Sequence, residues 1–202
     1  MKTSMLTVLA LSAACATASA QIELTNNGGF EAGDLSGWQS FPSATSTFLL
    51  TNDANSGTFA AELFNNQLAS GAVIKQANLG IGQVSPGQIV DISFAVKGEG
   101  AVGGVLFAEF LSEIDGGGVS SAQILGGGPL AITSSYQVFN FSVLAGPDVS
   151  GGVTLQFAAV TGGAQGSTIV AFIDDASVSI IPAPAGLAAL GMGGLVLGRR
   201  RR

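Results

Sequence analysis

Residues 88–96 read Gln-Ile-Val-Asp-Ile-Ser-Phe-Ala-Val, and this stretch decides the fold class. Large apolar side chains occupy every second position, and the positions between them are more mixed. A period of two predicts a β-strand with one face in a core. The two predicted faces are Val90, Ile92, Phe94 and Val96 on one side, and Ile89, Asp91, Ser93 and Ala95 on the other.

The same alternation recurs at Tyr136–Val143, and further runs rich in Val, Ile, Phe and Thr lie along the chain. Turn-forming residues such as Pro86-Gly87 separate these runs, and helical periodicity is nearly absent. Short strands with turns between them predict an all-β fold, an antiparallel β-sandwich of about nine strands. The further runs are 45–51, 58–64, 72–77, 104–112, 153–160 and 168–180.

The composition excludes several classes of function. The 202 residues include no His and a single Cys, Cys15. The chain therefore has no Ser-His-Asp triad, no Cys-His pair and no His-ligated zinc site. Seven Lys and Arg against 13 Asp and Glu give a net charge of -6. Nucleic-acid binding needs clustered cations to neutralise phosphates, so no nucleic-acid partner is expected.

The charged residues divide the chain into three parts. All 13 acidic residues lie within 21–181, where the only cations are Lys75 and Lys97, so this stretch has a charge of −11. The remaining cations are Lys2 near the start and Arg199–Arg202 at the end. We therefore predict one β-sandwich domain over 21–181, flanked by two basic ends.

Residues 1–20 have the order of a secretory signal peptide. Lys2 is followed by an apolar run from Met5 to Ala14, and then by Ala18-Ser19-Ala20. The apolar run is shorter than the about 20 residues that span a bilayer. We expect signal peptidase to cut after Ala20, with Ala16 and Ala18 as alternative residues before the cut; each of these cuts removes Cys15. A lipoprotein acylated on Cys15 is the alternative.

Residues 182–202 form a second three-part segment. Pro182-Ala183-Pro184 is followed by uncharged residues up to Gly198, and Arg199, Arg200, Arg201 and Arg202 come last. The 19 uncharged residues from Ile180 to Gly198 have the length of one transmembrane helix, about 28 Å. The arginine cluster places the end of this helix in the cytoplasm by the positive-inside rule.

This segment resembles the PEP-CTERM sorting signal of Gram-negative bacteria, with Ala183 in place of the family's central Glu. The resemblance implies an exosortase-like sorting enzyme as a partner and transient anchoring in the inner membrane. It also implies delivery to the cell surface or the extracellular matrix. A simple C-terminal anchor is the alternative, and it too implies an envelope protein that faces outward.

Three motifs in the body resemble the calcium-containing jelly-roll carbohydrate-binding modules, which have a galactose-binding-like fold. They are the opening motif Asn27–Trp38, the middle stretch Val84–Phe94, and the closing strand Val170–Val178, which contains Asp174-Asp175. The resemblance implies a jelly roll over most of residues 26–180.

In that family the Glu of the opening motif and an Asp of the closing strand share a structural calcium ion (Ca2+). The resemblance therefore implies Glu31, with Asp174 or Asp175, as metal ligands. Calcium takes about six to eight hard oxygen ligands, so carboxylates are suitable. If Val170, Phe172 and Val178 face the core, alternation places Asp174 on the same side, and we prefer it to Asp175. The alternative is that backbone N–H groups satisfy Asp174.

These features predict a non-catalytic exported surface or extracellular-matrix protein, with exopolysaccharide as the candidate ligand. Sugar binding uses exposed aromatic rings together with amides and carboxylates. Trp38 is the only Trp and Tyr136 the only Tyr, so they are the candidate ligand-binding residues. A large ring is usually buried, which favours a packing role for Trp38.

Two alternative functions follow from the acidic residues. A glycosidase needs two carboxylates that flank a cleft. Glu109 and Glu113 share a predicted strand face, but they lie about 13 Å apart along it. A self-associating matrix component is the other alternative, and its acidic surface would need calcium to bridge the copies.

Overall fold

The computed structural model describes residues 20–181, of which Gln21–Ile181 form one compact unit. This unit contains eleven β-strands, one 3-10 turn at Leu125–Gly127 and no α-helix. The strands are β1 Ile22–Glu23, β2 Gln39–Phe41, β3 Thr47–Thr51, β4 Ala60–Asn65, β5 Gly71–Leu79, β6 Ile89–Ala101, β7 Val105–Glu113, β8 Val119–Ile124, β9 Gln137–Leu144, β10 Val153–Val160 and β11 Thr168–Ile180.

The strands form two sheets, and every pair of neighbouring strands is antiparallel. The first sheet has the order β3-β4-β11-β6-β9, and β1 pairs with the end of β11 that β4 leaves free. The second sheet has the order β2-β5-β10-β7-β8. The predicted all-β antiparallel sandwich is confirmed.

The alternation that predicted the fold is also confirmed. Val90, Ile92, Phe94 and Val96 are each at most 2% exposed, whereas Ile89 on the opposite face is 58% exposed. This strand, β6, pairs with β11 on one side and β9 on the other. It therefore lies inside its sheet with one face on the core.

Three short strands were not predicted. β1 and β2 have only two and three residues, which is too short for a period to be read. β8 has the sequence Val-Ser-Ser-Ala-Gln-Ile, with little alternation. In the part of the chain that the structure describes, each pairs with a single neighbouring strand, and backbone hydrogen bonds to that neighbour define it.

Aromatic rings from both sheets meet at the centre of the core. Phe94 of β6 contacts Phe157 of β10 edge to face, with 4.9 Å between ring centroids. Trp38 lies 6.0 Å from Phe157 and 5.5 Å from Phe30. All of these residues lie within 21–181, so we expect this unit to fold by itself.

A β-bulge in β11, between Asp174 and Ser177, changes which side chains face the core. Before the bulge the buried residues are Ile169, Ala171 and Ile173, while Val170 and Phe172 lie on the outer face. The expectation that Val170, Phe172 and Val178 all face the core is wrong for Val170 and Phe172. Val178, beyond the bulge, is buried, and the inserted residue of the bulge inverts the alternation before it. Asp174 therefore lies on the outer side of the sheet, and loop residues cover it there.

The two predicted end segments lie outside the described residues, apart from Ala20. They are the signal peptide at 1–20 and the sorting segment at 182–202, with its Pro182-Ala183-Pro184 motif and arginine cluster. Within 20–181, no helix is long and apolar enough to cross a membrane. Signal-peptide cleavage, the transmembrane helix and sorting stay predictions.

Candidate functional site

Asp174 anchors the loop between β3 and β4. Its Oδ2 accepts hydrogen bonds from the backbone N–H groups of Asn55 at 2.8 Å and Ser56 at 3.1 Å. Its Oδ1 accepts from the N–H of Asp175 at 2.7 Å. The residue is 0% exposed. Three backbone donors therefore satisfy the buried carboxylate.

Asp175 and Glu31 hold the same loop. Asp175 has a left-handed φ of 50°, and its carboxylate accepts from Asn55 Nδ2 at 2.8 Å and Ser56 Oγ at 2.6 Å. Glu31 Oε1 accepts from two further N–H groups of the loop, those of Thr58 and Phe59, both at 2.8 Å. The three predicted metal ligands thus close one loop over the bulge of β11.

The space between these carboxylates is bounded by Gly29. A Cβ on this glycine would lie 3.7 Å from Asp175 Oδ1 and 3.8 Å from Asp174 Oδ1. Neighbouring carboxylate oxygens suit calcium, but N–H and O–H donors already occupy them. Among residues 20–181, no three His, Cys, Asp or Glu side chains are arranged to hold a metal ion. A calcium ion would have to replace some of these donors.

Burial raises the pKa of Asp174, and the backbone hydrogen bonds from Ser56, Asp175 and Asn55 oppose that rise. A carboxyl whose pKa rises on folding favours the folded state below its ordinary pKa. That contribution is lost as the pH increases through the folded value. When Asp174 is ionised its buried negative charge therefore opposes folding, and a nearby cation would reduce this cost.

Trp38 belongs to the core. Its side chain is 8% exposed and packs between Phe30 and Phe157, and its indole N–H donates to Asn27 O at 3.2 Å. The structure therefore gives Trp38 the packing role, and its ring offers no surface on which a sugar can stack.

Tyr136 is partly buried beside the same loop. Its hydroxyl donates to the backbone oxygen of Asp53 at 2.6 Å, and the Lys97 amine lies 4.9 Å from its ring centroid. The amine is also 2.5 Å from Asp53 Oδ1. Burial, followed by the negative charge of Asp174 and Asp53, raises the pKa of Tyr136. Through these contacts Tyr136 stabilises the loop between β3 and β4.

The outer face of the first sheet carries a polar groove of about 540 Å³. Its polar groups bond to one another, since Ser142 Oγ donates to Asp91 Oδ1 at 2.6 Å and Gln21 Nε2 donates to Ser179 Oγ at 2.5 Å. The one aromatic residue that lines it, Phe141, packs against the core. The groove therefore offers hydrogen-bonding groups without an exposed ring.

Two phenylalanine rings lie on the outer face of the second sheet. Phe41 of β2 pairs with Val73 of β5, which pairs with Ala158 of β10, which pairs with Phe107 of β7. Directly paired residues share a sheet face, so these four residues form one row, here called the aromatic row. Phe41 is 50% exposed, and Phe107 is partly exposed. Strands about 4.8 Å apart place the backbones of these two residues about 14 Å apart, with an apolar floor between them.

A second row, here called the polar row, runs beside the aromatic row. Its members pair across the same four strands and are Gln39, Lys75, Gln156 and Glu109. Gln156 Nε2 donates to Glu109 Oε2 at 2.5 Å. The Lys75 amine lies 5.1 Å from the centroid of the Phe41 ring. This face therefore presents rings, an amide pair, a carboxylate and a cation together.

The polar row opens at one end into a cleft of about 340 Å³. The cleft is lined by Lys75, Asn78 and Glu113, and by the loop residues 115–117. Its size falls in the usual range of small-ligand sites, about 300–1,000 Å³. The face and its cleft together form the candidate functional site.

Glu109 and Glu113, the carboxylate pair that a glycosidase would use, lie on this face but far apart. Glu109 accepts from Gln156, and Glu113 Oε1 accepts from Thr154 Oγ1 at 2.8 Å. Both residues are on the outer face of β7, and four residues of strand separate them by about 13 Å. Glycosidases hold their two carboxyl groups about 5–10 Å apart. The geometry therefore does not favour catalysis by this pair.

Sequence reasoning missed both rings of the aromatic row. Phe is usually a core residue, and Phe41 lies in a three-residue strand that has no readable period. One feature of the sequence could have revealed an exposed ring: Phe107 stands two positions before Glu109 in a predicted strand. Alternation places these two side chains on one face, and the acidic residue marks that face as the outer one.

Comparisons with known proteins support the fold. No protein-family model matches this chain. A search of curated proteins also gives no match. Among solved structures, the xylan-binding CBM22-1 domain of Paenibacillus barcinonensis Xyn10C superposes with a TM-score of 0.57 at 14% identity. The alignment covers 84% of this chain and 99% of that domain.

Two other similar structures are an enzymatically active domain and a cyclase. The enzymatically active domain of bacteriophage CBA120 tailspike protein 4 gives a TM-score of 0.61 at 14% identity, over 79% of this chain and only 22% of that one. The Stig cyclase Fisc from Fischerella sp. TAU gives 0.59 at 16% identity, over 81% and 100%. The fold is therefore the jelly-roll sandwich found in carbohydrate-binding modules, and enzymes also contain it.

Proposed function

We propose that residues 21–181 are a non-catalytic polysaccharide-binding module, and that the outer face of the second sheet binds the ligand. The observation that carries the proposal is the aromatic row, in which the exposed ring of Phe41 and the partly exposed ring of Phe107 flank an apolar floor beside a row of polar side chains. A sugar ring has an apolar face and a rim of hydroxyl groups. Aromatic rings match the apolar face, and amides, carboxylates and amines match the rim.

The two outer faces of the sandwich differ in what they offer a glycan. On the first sheet, the groove residues Asp91 and Ser142 bond to each other, and the groove has no exposed ring. On the second sheet, Phe41 is 50% exposed and lies next to Lys75. Burial of ring surface provides affinity, and hydrogen bonds provide orientation. This difference supports the second sheet as the binding face.

The proposal is tested by electrophoresis of residues 21–181 through gels that contain different polysaccharides. Binding retards the protein, and prolonged incubation of the same polymers shows whether sugars are released. We expect retardation by at least one polymer and no release. Release of reducing sugars would instead favour the glycosidase alternative, and the absence of retardation by every polymer would count against binding.

We also propose that the module is exported and sorted to the cell surface or matrix by its two end segments. The basic and apolar pattern of residues 1–20 and the Pro182–Pro184 segment with its arginines support this part of the proposal. Mass spectrometry of the protein recovered from producing cells tests it. We expect a chain that begins at Gln21 and has lost Arg199–Arg202; a full-length chain would contradict both cleavages.

We further propose a structural calcium ion at Asp174 and Asp175, with Glu31 beside them. Two adjacent carboxylates, one of them fully buried, support a cation there because it would offset their repulsion. Calcium would supply positive charge that ties the loop between β3 and β4 to β11. The side chains of Asn55 and Ser56 would contribute oxygen atoms once their donors turn away from Asp175.

Calcium is expected to raise the melting temperature of residues 21–181 by several degrees at pH 7 and by much less near pH 4. The physical reason is that protons and calcium compete for Asp174, whose pKa is raised by burial. Scanning calorimetry with calcium or with chelator at both pH values measures the effect. Asp174→Asn should abolish the shift, and Asp115→Asn on a distant loop should preserve it. Equal melting temperatures with calcium and with chelator at pH 7 would rule the ion out.

A further inference from the structure

The strand β9, Gln137–Leu144, forms one edge of the first sheet, and among residues 20–181 it pairs only with β6. Its eight residues, Gln-Val-Phe-Asn-Phe-Ser-Val-Leu, include no charged residue and no proline. Edge strands of soluble proteins are usually protected from pairing by charges, prolines or bulges. The ladder between β9 and β6 runs without a register shift, so β9 has none of these protections.

The backbone of β9 also has free hydrogen-bonding groups on its outer edge. Ala145, which follows the strand, donates its N–H to Gln88 O at 2.9 Å, toward β6. Along an antiparallel strand, successive residues point their backbone N–H and C=O groups alternately toward one neighbouring strand and toward the other side. Since Ala145 points toward β6, the N–H and C=O groups of the even-numbered residues 138–144 point away from β6. One of these groups, Leu144 O, accepts from Gln123 Nε2 at 2.8 Å. Within residues 20–181, the other outward groups have no backbone partner.

The side chains of the same residues have a symmetric pattern. Val138 is 61% exposed and Leu144 is 59% exposed, and each lies three positions from Phe141. A twofold axis at Phe141 would place Val138 beside Leu144 of a second copy, and the same axis would place Leu144 beside Val138 of that copy. It would also place Asn140 beside Ser142 of the second copy, where amide and hydroxyl can bond. This edge is therefore complementary to itself in one antiparallel register.

We propose that β9 pairs with β9 of a second copy of this chain, in the register that joins Val138 to Leu144 of that copy. Because the body carries a charge of −11, two copies repel one another over most of their surface. An uncharged edge allows close approach without like charges in contact. One strand pair is smaller than a standard interface of about 800 Å² per partner, so we expect a weak dimer whose population rises with protein concentration.

Sedimentation velocity of residues 21–181 in chelator, from roughly 10 μM to 1 mM, tests the pairing. The wild type should change from monomer to dimer over this range, because the pairing needs no calcium. Val138→Lys should keep the chain monomeric throughout. The matched control is Leu49→Lys on β3, at the opposite edge of the same sheet, where the side chain is 54% exposed. A monomeric wild type, or equal effects of the two lysines, would overturn the proposal.

The register is tested by the double variant V138K/L144E. In the proposed register each introduced lysine lies beside an introduced glutamate of the second copy, so the dimer should return. A double variant that stays monomeric would overturn this register. Amide hydrogen exchange of the wild type gives a test that depends on no variant. Protection of Val138, Asn140, Ser142 and Leu144 should increase with concentration, and unchanged protection would exclude the pairing.

Discussion

Replacement of Trp38 by Ala is expected to lower the free energy of unfolding of residues 21–181 by about 3–5 kcal/mol. The indole is 8% exposed, stacks on Phe30 and contacts Phe157. Its removal leaves a cavity in the centre of the core and takes one of two hydrogen bonds from Asn27 O, which still accepts from the N–H of Phe30 at 3.2 Å. For a domain of this size the melting temperature should fall by about 10 °C.

The matched control for this prediction is Phe41→Ala, which removes a ring that is 50% exposed. Its effect on the free energy of unfolding should be below about 1 kcal/mol, because surface substitutions rarely cost more. Urea or thermal unfolding of both variants, followed by circular dichroism, gives the comparison. Similar losses of stability for the two variants would show that Trp38 is not the core residue described here.

Loss of the aromatic row is expected to abolish most of the polysaccharide binding. Phe41→Ala combined with Phe107→Leu removes both rings and keeps an apolar side chain on β7, where Phe107 is partly buried. At about 1 kcal/mol for each ring, the affinity should fall about 30-fold. Affinity electrophoresis on the polymer that retards the wild type most strongly measures the change.

The control for this second prediction lies on the other sheet. Asn140→Ala removes an amide that lines the polar groove and leaves the second sheet unchanged. Its affinity should equal that of the wild type. A double Phe variant that binds normally, or a groove variant that does not bind, would move the site to the first sheet. Melting curves of all variants separate a loss of binding from a loss of folding.

The sequence was sufficient to predict the fold class and most of the long strands. In residues 88–96, large apolar side chains recur at every second position, and burial on one face follows directly from the two-residue period of a strand. The boundaries of β10 and β11 were also predicted correctly. Strands such as β2 escape this reasoning, because three residues contain no period.

The candidate site was harder to predict, for two physical reasons. The bulge between Asp174 and Ser177 inverts the alternation in β11, so a count of positions back from the core residue Val178 gives the wrong face for Asp174. Moreover, Phe41 and Phe107 lie 66 positions apart in the sequence, and only the strand order β2-β5-β10-β7 brings them into one row. Local patterns reveal which face of a strand is buried, but they do not reveal which strands are neighbours.

Amide chemical-shift mapping most directly tests the claim that the second sheet binds polysaccharide. Labelled residues 21–181 are titrated with an oligosaccharide cut from the polymer that retards the protein. The largest shifts are expected around Phe41, Val73, Ala158 and Phe107, with little change at Asn140 in the groove of the first sheet. Shifts concentrated around the groove, or no shifts at saturating oligosaccharide, would contradict the account.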